Sequence, residues 1–157
     1  MSASGFHRLA PLALALCWWL GAATAVQGGE RVQLAVDVIY ADQSSRGVDP
    51  QVGRLRSELQ RFKGYSTYRA MGRHVLNLSV GDPGGQPGHV MLPGGKVLVL
   101  IPQGISGKAV VLLASIQEGG HALLNSQLKL ADGGTILVGG PVYEDGVLIL
   151  AIGATLR

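Results

Sequence analysis

Cysteine is all but missing from this chain. Cys17 is the single one among 157 residues, and it lies inside an N-terminal apolar run, so everything after residue 25 lacks a thiol. That excludes disulfides, cysteine-ligated zinc and thiol nucleophiles from the body of the protein, which must stand on its packed core. Also absent is the G-x-S-x-G elbow that exposes a hydrolase serine; the nearest segment, Gly104-Ile105-Ser106-Gly107, reads as a turn. Phosphate-cradling loops are missing too. Lys96 and Lys108 each follow a glycine, but Val97 and Ala109 stand where such a loop needs a hydroxyl for magnesium, and Val90 and Pro102 where it needs its first glycine.

Histidine is sparse. His74, His89 and His121 stand singly, with none of the i,i+2 or i,i+4 pairs that begin a metal site. The carboxylates Asp82, Asp132, Glu144 and Asp145 fall at turns, where Asp has conformational reasons to be. These patterns imply no metal and no cofactor. The remaining enzymatic reading is a hydrolase-type site made by His89, His121 and Asp82 around the glycine-rich loop at residues 81–88; the favoured reading is a protein that binds or builds rather than catalyses.

What is present starts with a leader. His7 and Arg8 form a short positive segment, Leu9 to Leu20 is apolar, and Ala23-Thr24-Ala25 is a small-residue cleavage pattern. The apolar run is shorter than the roughly 20 residues that span a bilayer, and Leu16 stands before Cys17 where a lipoprotein signal needs a small residue. Residues 1–25 are therefore expected to be a signal peptide, with export to the periplasm or the extracellular space. Residues 26–157 are expected to form one domain without a transmembrane span, long enough to bury about two-thirds of its unfolded surface.

Alternation then dominates. Val32, Leu34, Val36, Val38 and Tyr40 share one face of a first strand, with Gln33 and Asp37 on the other. Asp49-Pro50 supplies a cap and a first-turn proline, and Val52, Leu55, Leu59 and Phe62 recur at helical spacing up to Gly64. Tyr65 to Val80 reads as extended chain with a bulge or bend at Gly72, and Tyr68, Ala70, His74, Leu76, Leu78 and Val80 share a parity. After the Gly/Pro-rich loop at 81–88 come six short strands: His89–Leu92, Lys96–Ile101, Ala109–Ile116, His121–Leu130, Thr135–Val138 and Val147–Ile152. Their Gly-rich turns leave no room for crossover helices, so the connections are antiparallel. Runs such as VLVLI and VLILAI are apolar at consecutive positions, which predicts cover on both faces. The fold class is mainly β with an α+β tendency: an antiparallel β-sandwich or compact barrel, with one amphipathic helix packed on a side or closing an end.

One surface is uneven. Arg54, Arg56, Arg61, Lys63, Arg69 and Arg73 cluster in sequence against a lone acid, Glu58, with Tyr65 and Tyr68 between them. Such a patch suits an anionic envelope component, or another envelope protein, as partner; export argues against nucleic acid.

Residues Gly133 to Gly140, GGTILVGG, resemble the core of the signature of bacterial secretins, the outer-membrane channels of secretion systems. The match runs through Gly133, Gly134, Thr135, Ile136, Leu137, Val138, Gly139 and Gly140; Pro141 departs from it. The resemblance implies a strand-and-turn element and an envelope setting, with association to a secretin-like assembly as a more specific form of the binding reading. The whole chain is also similar in composition to small exported bacterial β-rich proteins.

Overall fold

The computed structural model describes residues 29–81 and 85–157. The expected signal peptide and Asp82 lie outside them. All eight expected strands form. They are β1 (Arg31–Asp42), β3 (Thr67–Ser79), β4 (Gly88–Leu92), β5 (Lys96–Ser106), β6 (Ala109–Glu118), β7 (His121–Ala131), β8 (Thr135–Tyr143) and β9 (Gly146–Leu156). A two-residue β2 (Gly47–Val48), unforeseen in the polar loop, runs parallel to β3. The five-stranded sheet has the order β2-β3-β1-β9-β8 and the four-stranded sheet β4-β5-β6-β7. Apart from the β2 pairing, every ladder is antiparallel, and the mainly β expectation holds.

The sheets face each other across one core. Val32, Leu34, Val36, Val38 and Tyr40 of β1 and Leu148, Leu150 and Ile152 of β9 meet Leu98 and Leu100 of β5 and Val110, Leu112, Ala114 and Ile116 of β6. At one corner Gly88 of β4 packs so close to Leu76 and Leu78 of β3 that a Cβ there would lie 2.8 Å from a Leu76 methyl. At the other, Gly133 donates its N–H to the Ala154 oxygen at 2.8 Å and ties the end of β7 to β9. The sandwich is thus curled at its edges toward a barrel.

A second, smaller cluster lies on the far side of the five-stranded sheet. Ile39 and Ala41 of β1, Tyr68 of β3 and Ile149 and Ala151 of β9 are covered by Val52, Leu55 and Leu59 of the helical segment. The predicted stripe is therefore correct, but the segment is tighter than the expected helix. A 3-10 stretch at Pro50–Leu55 leads into one α-helical turn, α1 (Arg56–Leu59). Gly53 inside it weakens α-helix formation, and the hydrophobic contact with the sheet sets its length. Asp49 caps it as expected, accepting from the Gln51 N–H at 2.9 Å, and its other oxygen accepts from the Ala70 N–H of β3 at 3.2 Å.

Three expectations need correction. Val38 pairs with Gly72 and Ile39 with Ala70, so Met71 is an extra residue in β3. This bulge at Gly72 reverses the side-chain alternation. His74, Leu76 and Leu78 therefore lie opposite Val36, Leu34 and Val32 on the core side, whereas Tyr68 and Ala70 lie on the helix side. Secondly, β5 runs on through Pro102 to Ser106 with a bulge at Gln103, where a turn was expected. Thirdly, Gly139-Gly140-Pro141 does not turn the chain: β8 continues to Tyr143 with a bulge at Gly140-Pro141, and Glu144-Asp145 makes the turn, Glu144 at φ 49.

Candidate basic surface

The helical segment, the turn that follows it at residues 60–64 and β3 carry all six candidate cations, and all six side chains are exposed. The segment's apolar stripe is spent on the sheet, so Arg54 and Arg56 are left on its solvent side, and Arg61 and Lys63 are exposed on the turn that follows. Tyr68 holds the end of the segment down: its buried hydroxyl donates among the carbonyl oxygens of Leu59, Phe62 and Tyr65 at 3.0, 3.1 and 3.4 Å. The cap is thereby a fixed platform. The lone acid on it, Glu58, is held below the usual carboxylate range first by a hydrogen bond from the Ser57 hydroxyl, at 2.8 Å, and stays ionised.

The six cations divide into three groups. Arg54 and Arg73 converge on Asp37 of β1, whose carboxylate is nearly buried; Arg54 makes a direct ion pair with it and Arg73 lies 3.8 Å away. Asp37 reaches them because it sits opposite Arg73 across the β1–β3 ladder and faces the helix side of the sheet. Sequence reasoning placed Asp37 on that outward face of β1 but did not connect it with the patch. Arg69, one residue before Ala70 and ahead of the bulge, points to the other side of the sheet, where its guanidinium lies 5.2 Å from the Tyr40 ring centre. It belongs to a polar end formed with Asp42, Arg46, Glu144 and Asp145. Arg56, Arg61 and Lys63 form no salt bridge among the described residues; Glu58, whose carboxylate feels Arg61, offsets part of their charge and leaves the cap with a net positive excess. Beside Arg61, a shallow depression opens between Glu58 and Phe62 of the cap and Thr135, Ile136 and Leu137 of β8.

The histidines are not brought together. His89 lies on β4 and His121 on β7, the two outer strands of the four-stranded sheet, with β5 and β6 between them. At about 4.8 Å per strand they are separated by at least ~14 Å. Among the described residues no group of three His, Cys, Asp or Glu side chains is placed to hold a metal ion. No helix there is long and apolar enough to cross a membrane. The segment that resembles the secretin signature is β8, an edge strand of the five-stranded sheet, with its Gly-Gly pair at the bulge. No protein-family model matches the chain, and no curated protein or solved structure does.

Proposed function

We propose that the protein is an exported, non-enzymatic binding or structural protein of the cell envelope that engages an anionic envelope component through the cap over its five-stranded sheet. The observation that carries this reading is the placement of Arg56, Arg61 and Lys63. A segment pinned by Tyr68, Asp49 and its apolar underside, together with the turn that follows it, holds three exposed cations that form no salt bridge among the described residues and face a single carboxylate, Glu58. Preorganised positive charge of this kind attracts phosphate or carboxylate surfaces at long range. The envelope setting rests on the leader expected at Met1–Ala25. Arg54 and Arg73 serve the site differently, since Asp37 offsets their charge and fixes their position.

The test is retention on vesicles with and without anionic lipid, and on an acidic polysaccharide, at low salt. At about 1 kcal/mol per cation near an anionic surface, replacing Arg56, Arg61 and Lys63 with Ala should weaken binding on the order of a hundredfold. Salt should weaken the wild type in the same direction. Equal retention of wild type and variant on every anionic support would overturn the reading.

A second reading, a component of an envelope assembly, is favoured by one specific feature. The outward face of the four-stranded sheet is apolar at its centre and has no cap among the described residues.

A further inference from the structure

The five-stranded sheet has its helical segment, but the four-stranded sheet has no counterpart among the described residues. Along β5 the chain is apolar on both sides: Leu98 and Leu100 enter the core, while Val97, Val99 and Ile101 face out. Val111 and Leu113 of β6 share that outer face, Leu113 directly opposite Ile101, and Met91 of β4 stands beside Val97 with 65% of its surface exposed. The continuous apolar run VLVLI predicts cover on both faces. Its twin VLILAI in β9 has that cover, with Ile149 and Ala151 beneath the helical segment. On the outer face of VLVLI no described element lies over Val97 and Ile101, which stay partly exposed, although Val99 between them is only 7% exposed.

The margins of this face differ from its centre. Ser115 and Gln117 of β6 and Asn125, Gln127 and Lys129 of β7 continue the same rows outward, and Gln127 donates to Gln103 at 3.0 Å. An apolar centre with a polar rim is the anatomy of a protein interface; the Gln127–Gln103 hydrogen bond, which joins β7 to β5 across β6, also brings polar atoms beside Leu113. Between them the apolar rows and their rim hold one lysine, His89 opposite Val99, and no carboxylate, so two copies facing each other meet little like-charge repulsion. A highly charged partner would gain little there. Size points the same way. The strands of this sheet are 5, 11, 10 and 11 residues long. At about 3.3 Å per residue and 4.8 Å per strand they present roughly 600 Å². Two such faces bury about 1,200 Å², the lower bound for a specific, stable interface.

We propose that this face is a self-association surface: two copies of the chain pack their four-stranded sheets against each other about a twofold axis, with Val97, Val99, Ile101 and Leu113 at the centre. An isologous contact of this kind needs only one self-complementary patch, and aligned sheet-on-sheet packing supplies its geometry.

Sedimentation of the purified protein over a micromolar concentration series tests this, with no lipid present, so the outcome does not depend on the anion-binding reading. A monomer–dimer equilibrium is expected. Leu113→Lys should weaken it at least tenfold. Met91→Lys, at a position exposed enough to leave the fold untouched, should weaken it less, and both variants should keep the wild-type circular dichroism. A dimer unchanged in both variants would place the interface elsewhere and overturn the proposal. So would a protein that stays monomeric throughout. In that case a Met91→Cys variant separates the reasons: a thiol that reacts freely at residue 91 leaves the face bare, and a blocked one means that the chain's own residues outside those described cover it.

Discussion

Tyr68 sits on β3 beneath the helical segment, and its one hydroxyl serves three carbonyl oxygens at the point where that segment ends. The last carbonyls of a helix have no partner inside it, and here the chain must leave the sheet surface and return within a few residues. Tyr68→Phe keeps the buried ring and removes only the donor. The expected loss is about 1–2 kcal/mol of unfolding free energy, measured by denaturant titration, because the oxygens lose their donor while remaining partly enclosed. The same residue gives a pH signature. Burial raises the Tyr68 pKa, so the fold favours the protonated phenol; this contribution is complete below the ordinary value near 10 and is lost as pH rises from there through the higher folded value. Tyr40 is raised as well, first by burial and then by Asp42, Glu144 and Asp145. Stability should therefore fall above pH 10 in the wild type and fall less steeply in Tyr68→Phe. An identical slope in both proteins would mean that Tyr68 does not titrate with unfolding.

Elements were legible where a single period runs through them. Val32 to Tyr40 keeps one parity over the length of its ladder, so the core face of β1 could be read directly. The stripe Val52, Leu55, Leu59 was equally plain, although its tight first part was not, because 3-10 and α turns place similar residues on one side. The bulge in β3 was announced by Gly72, but its reversal of the alternation was not, and the bulges in β5 and β8 gave no signal. Residues 68–78 look like one alternating run only because the extra residue, Met71, is itself an ordinary apolar side chain. That one residue sent Arg69 to the far side of the sheet, which is why six cations close in sequence do not form one patch. In β8, Gly139-Gly140-Pro141 has the composition of a turn, yet close approach of chain to chain explains Gly140. A Cβ there would lie 2.8 Å from the Leu148 oxygen, whereas one on Gly139 would meet nothing nearer than a Phe62 ring carbon at 3.8 Å. Gly140→Val should accordingly cost on the order of 1–3 kcal/mol, the range for overpacking, and Gly139→Ala should be nearly neutral. Equal melting temperatures for the two variants would show that the bulge relaxes freely.

At the scale of the molecule, the two outer faces of the sandwich have been put to different uses. One bears the helical segment and its excess of cations; the other is apolar at its centre and has no covering element among the described residues. Since these faces point in opposite directions, a face-to-face pair of four-stranded sheets would carry its two basic caps on its far sides. With sheets and caps stacked at about 10 Å per layer, the caps would stand roughly 50 Å apart. Such a particle cannot lay both caps on one flat anionic surface, but it can join two. The wild type is therefore expected to cluster anionic vesicles, seen as rising turbidity, at protein concentrations where the dimer is populated. Leu113→Lys should still bind those vesicles through its cap and should not cluster them, while the variant lacking Arg56, Arg61 and Lys63 should do neither although it remains dimeric. Clustering by Leu113→Lys at the wild-type level, with its mass shown to be monomeric, would mean that a single copy carries two anion-binding surfaces. The polar end around Arg46 and Arg69 would then be the place to look for the second.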